Sequence, residues 1–218
     1  MDINSPWIMA GVVAYTLLWT AAYVLIIIKG FKDRSYGVPM VALCLNFSWE
    51  FLFSFVWPDS NMVRTWLYRF WFIPDAVIVW QLFRYGREAQ VIPEVRKYFP
   101  AWTTVSMILS FLTIYCFVEF YRDRTGTEIA FLINTWMSIA FVFFYFNRRD
   151  LRGISIPAAW CKMLGTAITG VVVHFAYPII RPDKQPWGLL ELCAGIILAF
   201  DLLYIRLITR RSAELQRS

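Results

Sequence analysis

This sequence has few histidines, few charged residues and no paired-cysteine motif. It contains one histidine and four cysteines, and only 17% of its residues are charged. The cysteines, Cys44, Cys116, Cys161 and Cys193, lie in different apolar segments and form no CxxC pair. This spacing argues against a disulfide framework or a zinc knuckle. The single histidine, His174, has no second imidazole to share a metal ion with. We therefore predict no metal ion and no cofactor.

The net charge of +6 does not indicate a nucleic-acid partner. Lys and Arg fall in short runs between apolar segments rather than on one basic face. The chain is 59% hydrophobic and 19% aromatic, well above the apolar share of a soluble domain. We predict an integral membrane protein of a bacterial plasma membrane or of the endoplasmic reticulum.

Seven apolar stretches are long enough, or nearly so, to cross about 30 Å of hydrocarbon. They cover approximately residues 6–28, 38–57, 66–83, 101–120, 128–146, 157–178 and 187–208. The third stretch is interrupted by Arg69, Pro74 and Asp75. The sequence therefore predicts an all-α fold, a seven-transmembrane-helix bundle that forms a single domain over residues 1–218.

The loops predict an orientation. Most Lys and Arg residues outside the spans fall in the connections after spans one, three and five and in the C-terminal tail. Because positively charged loops stay in the cytoplasm, we expect the N-terminus outside and the C-terminus cytoplasmic. The sequence leaves the oligomeric state open.

A faint internal repeat favours a second interpretation, a proton-coupled small-molecule transporter. Aligning Trp19 with Trp136 places Asp33 and Asp150 at the same offset. Spans 1–3 and 5–7 would then be parallel repeats joined by span four, a layout known among transporters.

The acids argue against this symmetry at the sequence level. Superposing the halves places Ile168 roughly opposite Glu50, and no acid of the third span matches the predicted depth of Asp201. We interpret this asymmetric set of acids as a one-sided active site.

Carboxylic acids inside the predicted spans are the most informative feature. An ionisable side chain at the bilayer centre costs about 2.5–3.5 kcal/mol on insertion scales, and such residues usually mark a functional site. Glu50, Asp75 and Asp201 lie within spans two, three and seven. We expect the acids at the span boundaries to reach headgroups, water or Arg122 and Arg124; these acids are Glu119, Glu128 and Glu191.

Glu50 belongs to a polar stripe. Asn46, Glu50 and Ser54 follow i, i+4, i+8 spacing on an aromatic helix, with Phe47 and Phe53 at the edges of the stripe. This spacing predicts that the stripe faces the bundle interior.

The two other acids each have an alternative interpretation. Asp75 follows Pro74, and a proline inside a helix leaves a backbone carbonyl without its hydrogen bond. Asp75 therefore either belongs to the functional site or interacts with the backbone groups of a kinked helix. Asp201 lies well inside span seven with Tyr204 one turn on, and the alternative to a catalytic role is an ion pair with Lys162 of span six.

These residues predict acid-initiated carbocation chemistry. Burial away from water disfavours the charged form of a carboxyl group, so we expect Glu50 and Asp201 to be neutral acids. Protonating an alkene or epoxide would generate a carbocation, which aromatic faces stabilise by about 2 kcal/mol each. We expect a prenylated substrate, which dissolves among the membrane lipids and enters the protein from the lipid phase. We also predict that Trp71 and Phe72 of span three bind this substrate.

The residues around Glu50 and the position of Asp201 carry a family resemblance. The segment Asn46-Phe47-Ser48-Trp49-Glu50-Phe51, followed by Pro58, and a seventh span that carries Asp201 resemble the small integral-membrane terpene cyclases of meroterpenoid and indole diterpenoid biosynthesis. The resemblance implies that Glu50 and Asp201 are the acids of a metal-independent, proton-initiated cyclisation of a farnesyl or geranylgeranyl substrate. We also expect the site to be lined by a set of aromatic and polar side chains, namely Asn46, Phe47, Trp49, Phe53, Trp71, Phe72, Asp75 and Tyr204.

The division of labour between the two acids stays open. At a rise of 1.5 Å per residue, Glu50 lies about 10 Å and Asp201 about 20 Å below the outer surface. The two acids either bracket an elongated cavity, one of them assisting or removing the final proton, or meet because the predicted span ends are displaced. We favour Glu50 as the proton donor, with Asp201 polarising it or acting through Tyr204 or water. The sequence does not choose between an unmodified olefin and an epoxide as the group that is protonated.

Overall fold

The computed structural model describes residues 5–59, 61–148, 150–182 and 188–217. In this part of the chain the structure contains seven α-helices, one short π-helical segment and no β-strand, which confirms the all-α prediction. The helices are α1 (Pro6–Asp33), α2 (Met40–Phe51), α3 (Met62–Tyr85), α4 (Pro93–Tyr121), α5 (Thr127–Phe146), α6 (Ile156–Ile180) and α7 (Leu189–Arg217). The π-helical segment, Leu52–Val56, continues α2 directly.

Five of the described helices are long and apolar enough to span a membrane, namely α1, α4, α5, α6 and α7. Helix α2 and the π-helical segment together form a shorter apolar helix, Met40–Val56. The count of seven spans and the orientation of the termini therefore stay predictions. The predicted domain limits at residues 1 and 218 and the predicted start of the seventh span at Trp187 lie outside the described residues.

Several helices extend beyond the apolar stretches that predicted them. Helix α4 begins at Pro93 rather than at residue 101, with Glu94 in its first turn. Helix α7 continues to Arg217 rather than ending at residue 208, and an Arg210–Glu214 ion pair of 3.1 Å lies on its last turns. A search for apolar stretches finds only the part of a helix that lies in the hydrocarbon of the membrane. Proline in the first turn and i, i+4 ion pairs allow a helix to continue beyond that part into water.

The helices pack in the same way in both halves of the chain. Helix α3 packs against α1 and α2, and α7 packs against α5 and α6. The contacts between the halves are reciprocal, since α1 packs against α6 and α2 against α5, while α4 packs mainly on α2. Helices α1 and α6 approach closely where Gly165 faces Trp19, because a Cβ atom at Gly165 would lie 3.0 Å from the indole Cδ1.

The third helix of each half carries one buried aspartate. Asp75 lies about 20 Å along α3 from Met62, and Asp201 lies about 18 Å along α7 from Leu189, at 1.5 Å per residue. These distances run along each helix from its first residue and do not give a depth in the membrane, so the predicted mismatch in depth between the acids of the third span and Asp201 stays a prediction.

Candidate functional site

Glu50 is the centre of a buried hydrogen-bond network, and its two carboxyl oxygens have different surroundings. The side chain is 2% exposed. The Tyr23 hydroxyl donates to Oε1 at 2.6 Å, and the Asn46 amide donates to the same oxygen at 3.1 Å. Oε2 is buried and has no hydrogen-bond partner in the described part of the chain. One oxygen therefore accepts two hydrogen bonds while the other is left without a protein partner.

Asn46 connects Glu50 to Asp75. Its Nδ2 lies 2.9 Å from Asp75 Oδ2 and 2.9 Å from the Tyr23 hydroxyl oxygen. An amide carries two N–H groups, so these acceptors and Glu50 share them. Asp75 is 1% exposed, and neither acid forms an ion pair with a Lys, Arg or His of the described residues. We call Tyr23, Asn46, Glu50 and Asp75 the Glu50 network.

Each of the first three helices contributes to the Glu50 network. Asn46 and Glu50 meet because i and i+4 side chains share one face of α2. Tyr23 comes from α1, and Asp75 comes from α3, which continues as a helix through Pro74. Ser54, the third residue of the predicted stripe, lies in the π-helical segment, is fully buried, and its hydroxyl has no partner among the described residues.

Asp201 belongs to a second network. Lys162 Nζ lies 2.8 Å from both Asp201 carboxylate oxygens and 2.8 Å from Ser138 Oγ. Lys162 is 6% and Asp201 2% exposed. The structure thus confirms the ion pair with Lys162 that the sequence left as an alternative. The contact shows that Asp201 is not an isolated acid, because Lys162 lies against both of its carboxyl oxygens. We call Ser138, Lys162 and Asp201 the Lys162 network; its members come from α5, α6 and α7.

The structure does not bring Glu50 and Asp201 together in one hydrogen-bond network. Glu50 is bound by Tyr23 and Asn46, whereas Asp201 is bound by Lys162. The structure therefore shows no hydrogen bond through which Asp201 would polarise Glu50, and the alternative in which Asp201 acts through Tyr204 or water stays a prediction. The acid that shares a hydrogen-bond donor with Glu50 is Asp75, because α3 packs against α2 and α7 does not.

One apolar cluster connects the two networks. Tyr23 of the Glu50 network packs in the same buried cluster as Phe141 and Tyr204, which lie beside Asp201. The Phe141 and Tyr204 rings are 5.1 Å apart, centroid to centroid. Trp19, Ile26 and Trp71 pack against this cluster.

The predicted aromatic residues divide into two groups. Phe47 stacks on Phe72 at 4.9 Å between α2 and α3, and Trp71 Nε1 donates to Thr20 Oγ1 at 3.1 Å. These rings lie on the two helices that carry Glu50 and Asp75, although their side chains form none of the hydrogen bonds of the network.

Trp49 and Phe53 belong to a second apolar cluster, between α2, α4 and α5. Trp49 donates to the Gly126 carbonyl at 3.0 Å and packs 4.9 Å from the Tyr68 ring and 5.1 Å from the Phe53 ring. Gly126 has φ of +69°, a conformation that favours glycine, and it precedes α5. Trp49 therefore helps to hold the start of α5.

Tyr204 lines a narrow pocket beside Asp201. Lys162, Asp201 and Tyr204 form its polar wall, and Phe141 and Ile26 are on its apolar side. Gly37, between α1 and α2, together with Ser155, Ala158 and Ala159 at the start of α6, complete the lining. The volume is about 20 Å³, which is enough for one water molecule.

The boundary acids have different partners. Glu119 forms an exposed ion pair of 2.8 Å with Arg124, as the sequence predicts. Glu128 is buried at the start of α5 and accepts a hydrogen bond from the Tyr177 hydroxyl, which the sequence did not predict. Glu191 lies 3.0 Å from His174.

The described residues contain no group of three or more His, Cys, Asp or Glu side chains arranged to hold a metal ion. Sequence reasoning missed Tyr23 and Ser138. Nothing in the local pattern distinguishes Tyr23 from other tyrosines of the spans, because its role depends on which helix faces α2.

Comparison with known proteins gives a consistent result. The family model of Pyr4-like transmembrane terpene cyclases matches residues 4–210. The terpene cyclase ascF of Acremonium egyptiacum is 32% identical over 229 aligned positions, covering 86% of this chain and 78% of that protein. The Pyr4-family terpene cyclase mfmH of Annulohypoxylon moriforme is 28% identical over 164 residues, or 74% of this chain and 67% of that protein.

Terpene cyclase pyr4 of Aspergillus fumigatus is 27% identical over 173 residues, covering 76% of this chain and 71% of that protein. No solved structure matches the chain. The family resemblance carried by the Glu50 segment and by Asp201 is confirmed by these matches.

Proposed function

Because the chain belongs to the Pyr4-like transmembrane terpene cyclase family, we propose that it is a membrane-bound cyclase in which Glu50 donates the proton that starts carbocation cyclisation of a prenylated substrate. The observation that carries the proposal is the difference between the two Glu50 oxygens. Oε1 accepts from Tyr23 and Asn46, whereas Oε2 is buried without a partner among the described residues.

This difference determines where the acid proton lies. An oxygen that accepts two hydrogen bonds acts as the carbonyl oxygen of a neutral carboxyl group, so the proton is carried on Oε2. No protein group of the described chain competes for that proton, which leaves it available to a substrate carbon–carbon double bond or epoxide oxygen. When the proton leaves, Tyr23 and Asn46 already donate to the carboxylate that forms, so the developing negative charge is stabilised without rearrangement.

Asp75 supports the neutral form of Glu50. Two carboxyl groups that share one amide in a nonpolar interior, with no cation paired to either in the described structure, disfavour simultaneous ionisation. Asp75 also accepts one N–H of Asn46, which orients the amide toward Glu50.

The aromatic side chains supply what a carbocation needs. Trp19 lies 6.2 Å from Tyr23, ring to ring, and Trp71 packs against the same cluster. A desolvated cation gains about 2 kcal/mol over an aromatic face, and a nonpolar interior excludes water that would capture the cation early.

The proposed substrate carries a farnesyl or geranylgeranyl chain. Such a chain partitions into the bilayer and would reach the site between the helices. The relatives are named terpene cyclases, which supports the class of reaction, and the proposed reaction uses no metal ion. The basic loops support a proposed N-terminus outside and C-terminus in the cytoplasm, in a bacterial plasma membrane or the endoplasmic reticulum.

The test is product formation in membranes that contain the protein and a panel of farnesylated and geranylgeranylated aromatic compounds. We expect Glu50→Gln to reduce cyclised product by at least about 100-fold, the scale on which positioned acids contribute. Glu119→Gln is the matched control, because Glu119 pairs with Arg124 on the surface. Full activity of Glu50→Gln would remove the basis of the proposal.

Transport is the second candidate function, and the packing of the bundle is the observation that favours it. Both halves show the same helix order, with reciprocal contacts between α1 and α6 and between α2 and α5, as in transporters built from parallel repeats. Proton-dependent uptake of a solute by liposomes, without chemical change of that solute, would favour this candidate over the cyclase.

A further inference from the structure

A polar pocket lies at one end of the bundle, apart from the two networks described above. The connections after α1, α3 and α5 meet there, since Arg148 donates to the Tyr36 carbonyl and Gln90 donates to the Tyr36 hydroxyl. The pocket has a volume of about 290 Å³. Its polar wall consists mainly of Glu88, Gln90, Arg96, Arg148, Asp150 and Arg152. No residue of the Glu50 network or the Lys162 network lines it, so it is a separate candidate site.

Arg148 is fixed in the wall of this pocket by neutral partners. Its Nη1 donates to Ser35 Oγ at 3.0 Å and to the Arg152 carbonyl, and its Nη2 donates to the Tyr36 carbonyl at 2.9 Å. The guanidinium carbon lies 4.1 Å from the centroid of the Phe144 ring. Burial lowers the pKa of the Arg148 guanidinium group, because solvent is removed from the charge. Arg148 thus presents a fixed positive charge that a bound anion would stabilise.

Arg96 reaches the same pocket and is oriented by a backbone carbonyl. Its Nε and Nη2 donate to the Gln90 carbonyl at 3.2 and 2.8 Å. Gln90 is itself held, because its Nε2 donates to the Tyr36 hydroxyl at 3.0 Å and to the Gly86 carbonyl at 2.8 Å. A guanidinium group carries five N–H donors, and Arg96 uses two of them among the described residues. Its other donors are left for a ligand.

The two carboxylates of the wall do not cancel its positive charge. Asp150 is neutralised by Arg152, whose Nε lies 2.7 Å from Asp150 Oδ2. Glu88 is exposed and forms no ion pair in the described part of the chain. Three guanidinium groups and two carboxylates leave a formal excess of one positive charge in the wall.

The chemistry of this wall favours a phosphate group. Guanidinium groups bind phosphate oxygens through paired N–H donors, and three of them suit a tetrahedral group with several oxygens better than a carboxylate with two. Basic pockets at the cytoplasmic ends of membrane helices bind the headgroups of anionic lipids. The connections that form this pocket are the basic ones that we expect in the cytoplasm.

We propose that the pocket between the α1–α2, α3–α4 and α5–α6 connections binds a phosphate group, carried by an anionic phospholipid or by a soluble phosphate compound. Arg96 and Arg152, which are exposed, supply adjustable donors, and Arg148 supplies a fixed charge. A bound phosphate would join the three connections and stabilise this end of the bundle. The proposal concerns ligand binding and does not rest on the cyclisation reaction.

The experiment measures binding to the purified full-length protein in an uncharged detergent. The soluble probe is inorganic phosphate, followed by titration calorimetry with sodium chloride as the control. The lipid probe is phosphatidylglycerol, followed by native mass spectrometry and thermal unfolding, with phosphatidylcholine as a control lipid without net charge. Binding of phosphatidylglycerol but not of inorganic phosphate identifies a lipid ligand, and the reverse identifies a soluble one.

Arg96→Gln is the test variant, and Arg87→Gln is its matched control. Both arginines are exposed and lie in or beside the α3–α4 connection, but only Arg96 lines the pocket. The affinity for the probe that binds should fall at least about tenfold in Arg96→Gln, the scale of a lost charge-assisted hydrogen bond. It should change less than about twofold in Arg87→Gln, because solvent and salt screen a charge outside the pocket. Arg152→Gln should repeat the effect of Arg96→Gln.

Glu88→Gln tests the sign of the ligand charge. Removing this carboxylate from the wall should increase the affinity for the anionic probe by about two- to fivefold, the scale of an exposed charge pair. The unfolding temperature of each variant without ligand shows that the variant is folded.

Three results would overturn the inference. The pocket is not a phosphate site if neither inorganic phosphate nor phosphatidylglycerol binds the folded wild-type protein. It is only part of a diffuse basic surface if Arg87→Gln weakens binding as much as Arg96→Gln does. It prefers a cationic group if Glu88→Gln weakens binding. None of these results affects the role of Glu50, which product formation tests separately.

Discussion

Asp75 and Asp201 are buried aspartates on α3 and α7, the third helix of each half of the bundle, yet of these two only Asp201 is paired with a buried cation in the described structure. Asp75 receives the amide of Asn46, which also binds Glu50. The two acids therefore have different electrostatic surroundings. These surroundings, together with the proposed proton transfer from Glu50, lead to the following predictions.

The first prediction concerns the Tyr23 hydroxyl. Tyr23→Phe removes a donor to Glu50 Oε1 and keeps the ring, and a hydrogen bond to a charged group contributes about 1.5–3 kcal/mol. Turnover should fall by roughly 10- to 100-fold with a smaller change in KM, because the bond matters most when the carboxylate has formed. Tyr115→Phe is the control, since Tyr115 is partly exposed and stacks on Trp57. Equal effects of both substitutions would contradict the role of Tyr23.

The second prediction concerns Asn46. Asn46→Leu leaves Glu50, Asp75 and Tyr23 without the shared donor, and each unsatisfied buried polar group costs about 1–3 kcal/mol. We expect a lower unfolding temperature in detergent and loss of product. Asn134→Leu, which removes one hydrogen bond to Thr166, should lower the unfolding temperature less and preserve product formation. A larger effect at Asn134 would argue against Asn46 as the centre of the network.

The third prediction concerns the stability of the Lys162 network. Lys162→Met alone leaves a buried carboxylate without its cation, which costs about 3–5 kcal/mol, whereas replacing both partners with apolar residues is often nearly neutral. The double variant Lys162→Met with Asp201→Leu should therefore unfold at a higher temperature than Lys162→Met alone. The double-mutant cycle compares Lys162→Met, Asp201→Leu and the double variant. If the decreases in unfolding temperature of the two single variants simply add in the double variant, the two side chains are not coupled in the membrane.

The fourth prediction follows the proton. In heavy water the acid proton of Glu50 exchanges, so deuterium should appear at the site that is first protonated in the cyclised product. With a substrate protonated at an alkene carbon, mass spectrometry should find one carbon-bound deuterium per product molecule with the wild-type protein; with an epoxide substrate the deuterium lies on the product hydroxyl and exchanges during work-up. A product cyclised from an alkene substrate without carbon-bound deuterium would require initiation by another route.

The fifth prediction concerns topology. A reporter fused before Met1 should show activity outside the membrane, and a reporter fused after Ser218 should show activity in the cytoplasm, because basic loops remain cytoplasmic. A short reporter inserted between Arg87 and Glu88, in the α3–α4 connection, should behave like the C-terminal one. The opposite pattern would reverse the proposed orientation without affecting the chemistry at Glu50.

The candidate site was only partly predictable. The contact between Asn46 and Glu50 follows from i, i+4 geometry within one helix, and the cost of burying acids indicates Glu50, Asp75 and Asp201 from the sequence alone. The start of α3 was predicted at residue 66 and lies at Met62, because Arg64 and Thr65 lower the hydropathy of the first turn. Tyr23 and Ser138 gave no signal, since one hydroxyl in an apolar helix has no periodic partner.

The sequence by itself determined the helical class, the apolar segments and the acids among them, because hydrocarbon requires satisfied backbone groups and penalises ionisable side chains. Only the tertiary structure decided which acid meets which partner. Helices such as α1 and α5 are apolar on nearly every face, so periodicity does not reveal which side faces a neighbour. Packing of α1, α2 and α3 brought Tyr23 and Asp75 to Glu50. Packing of α5, α6 and α7 brought Lys162 to Asp201.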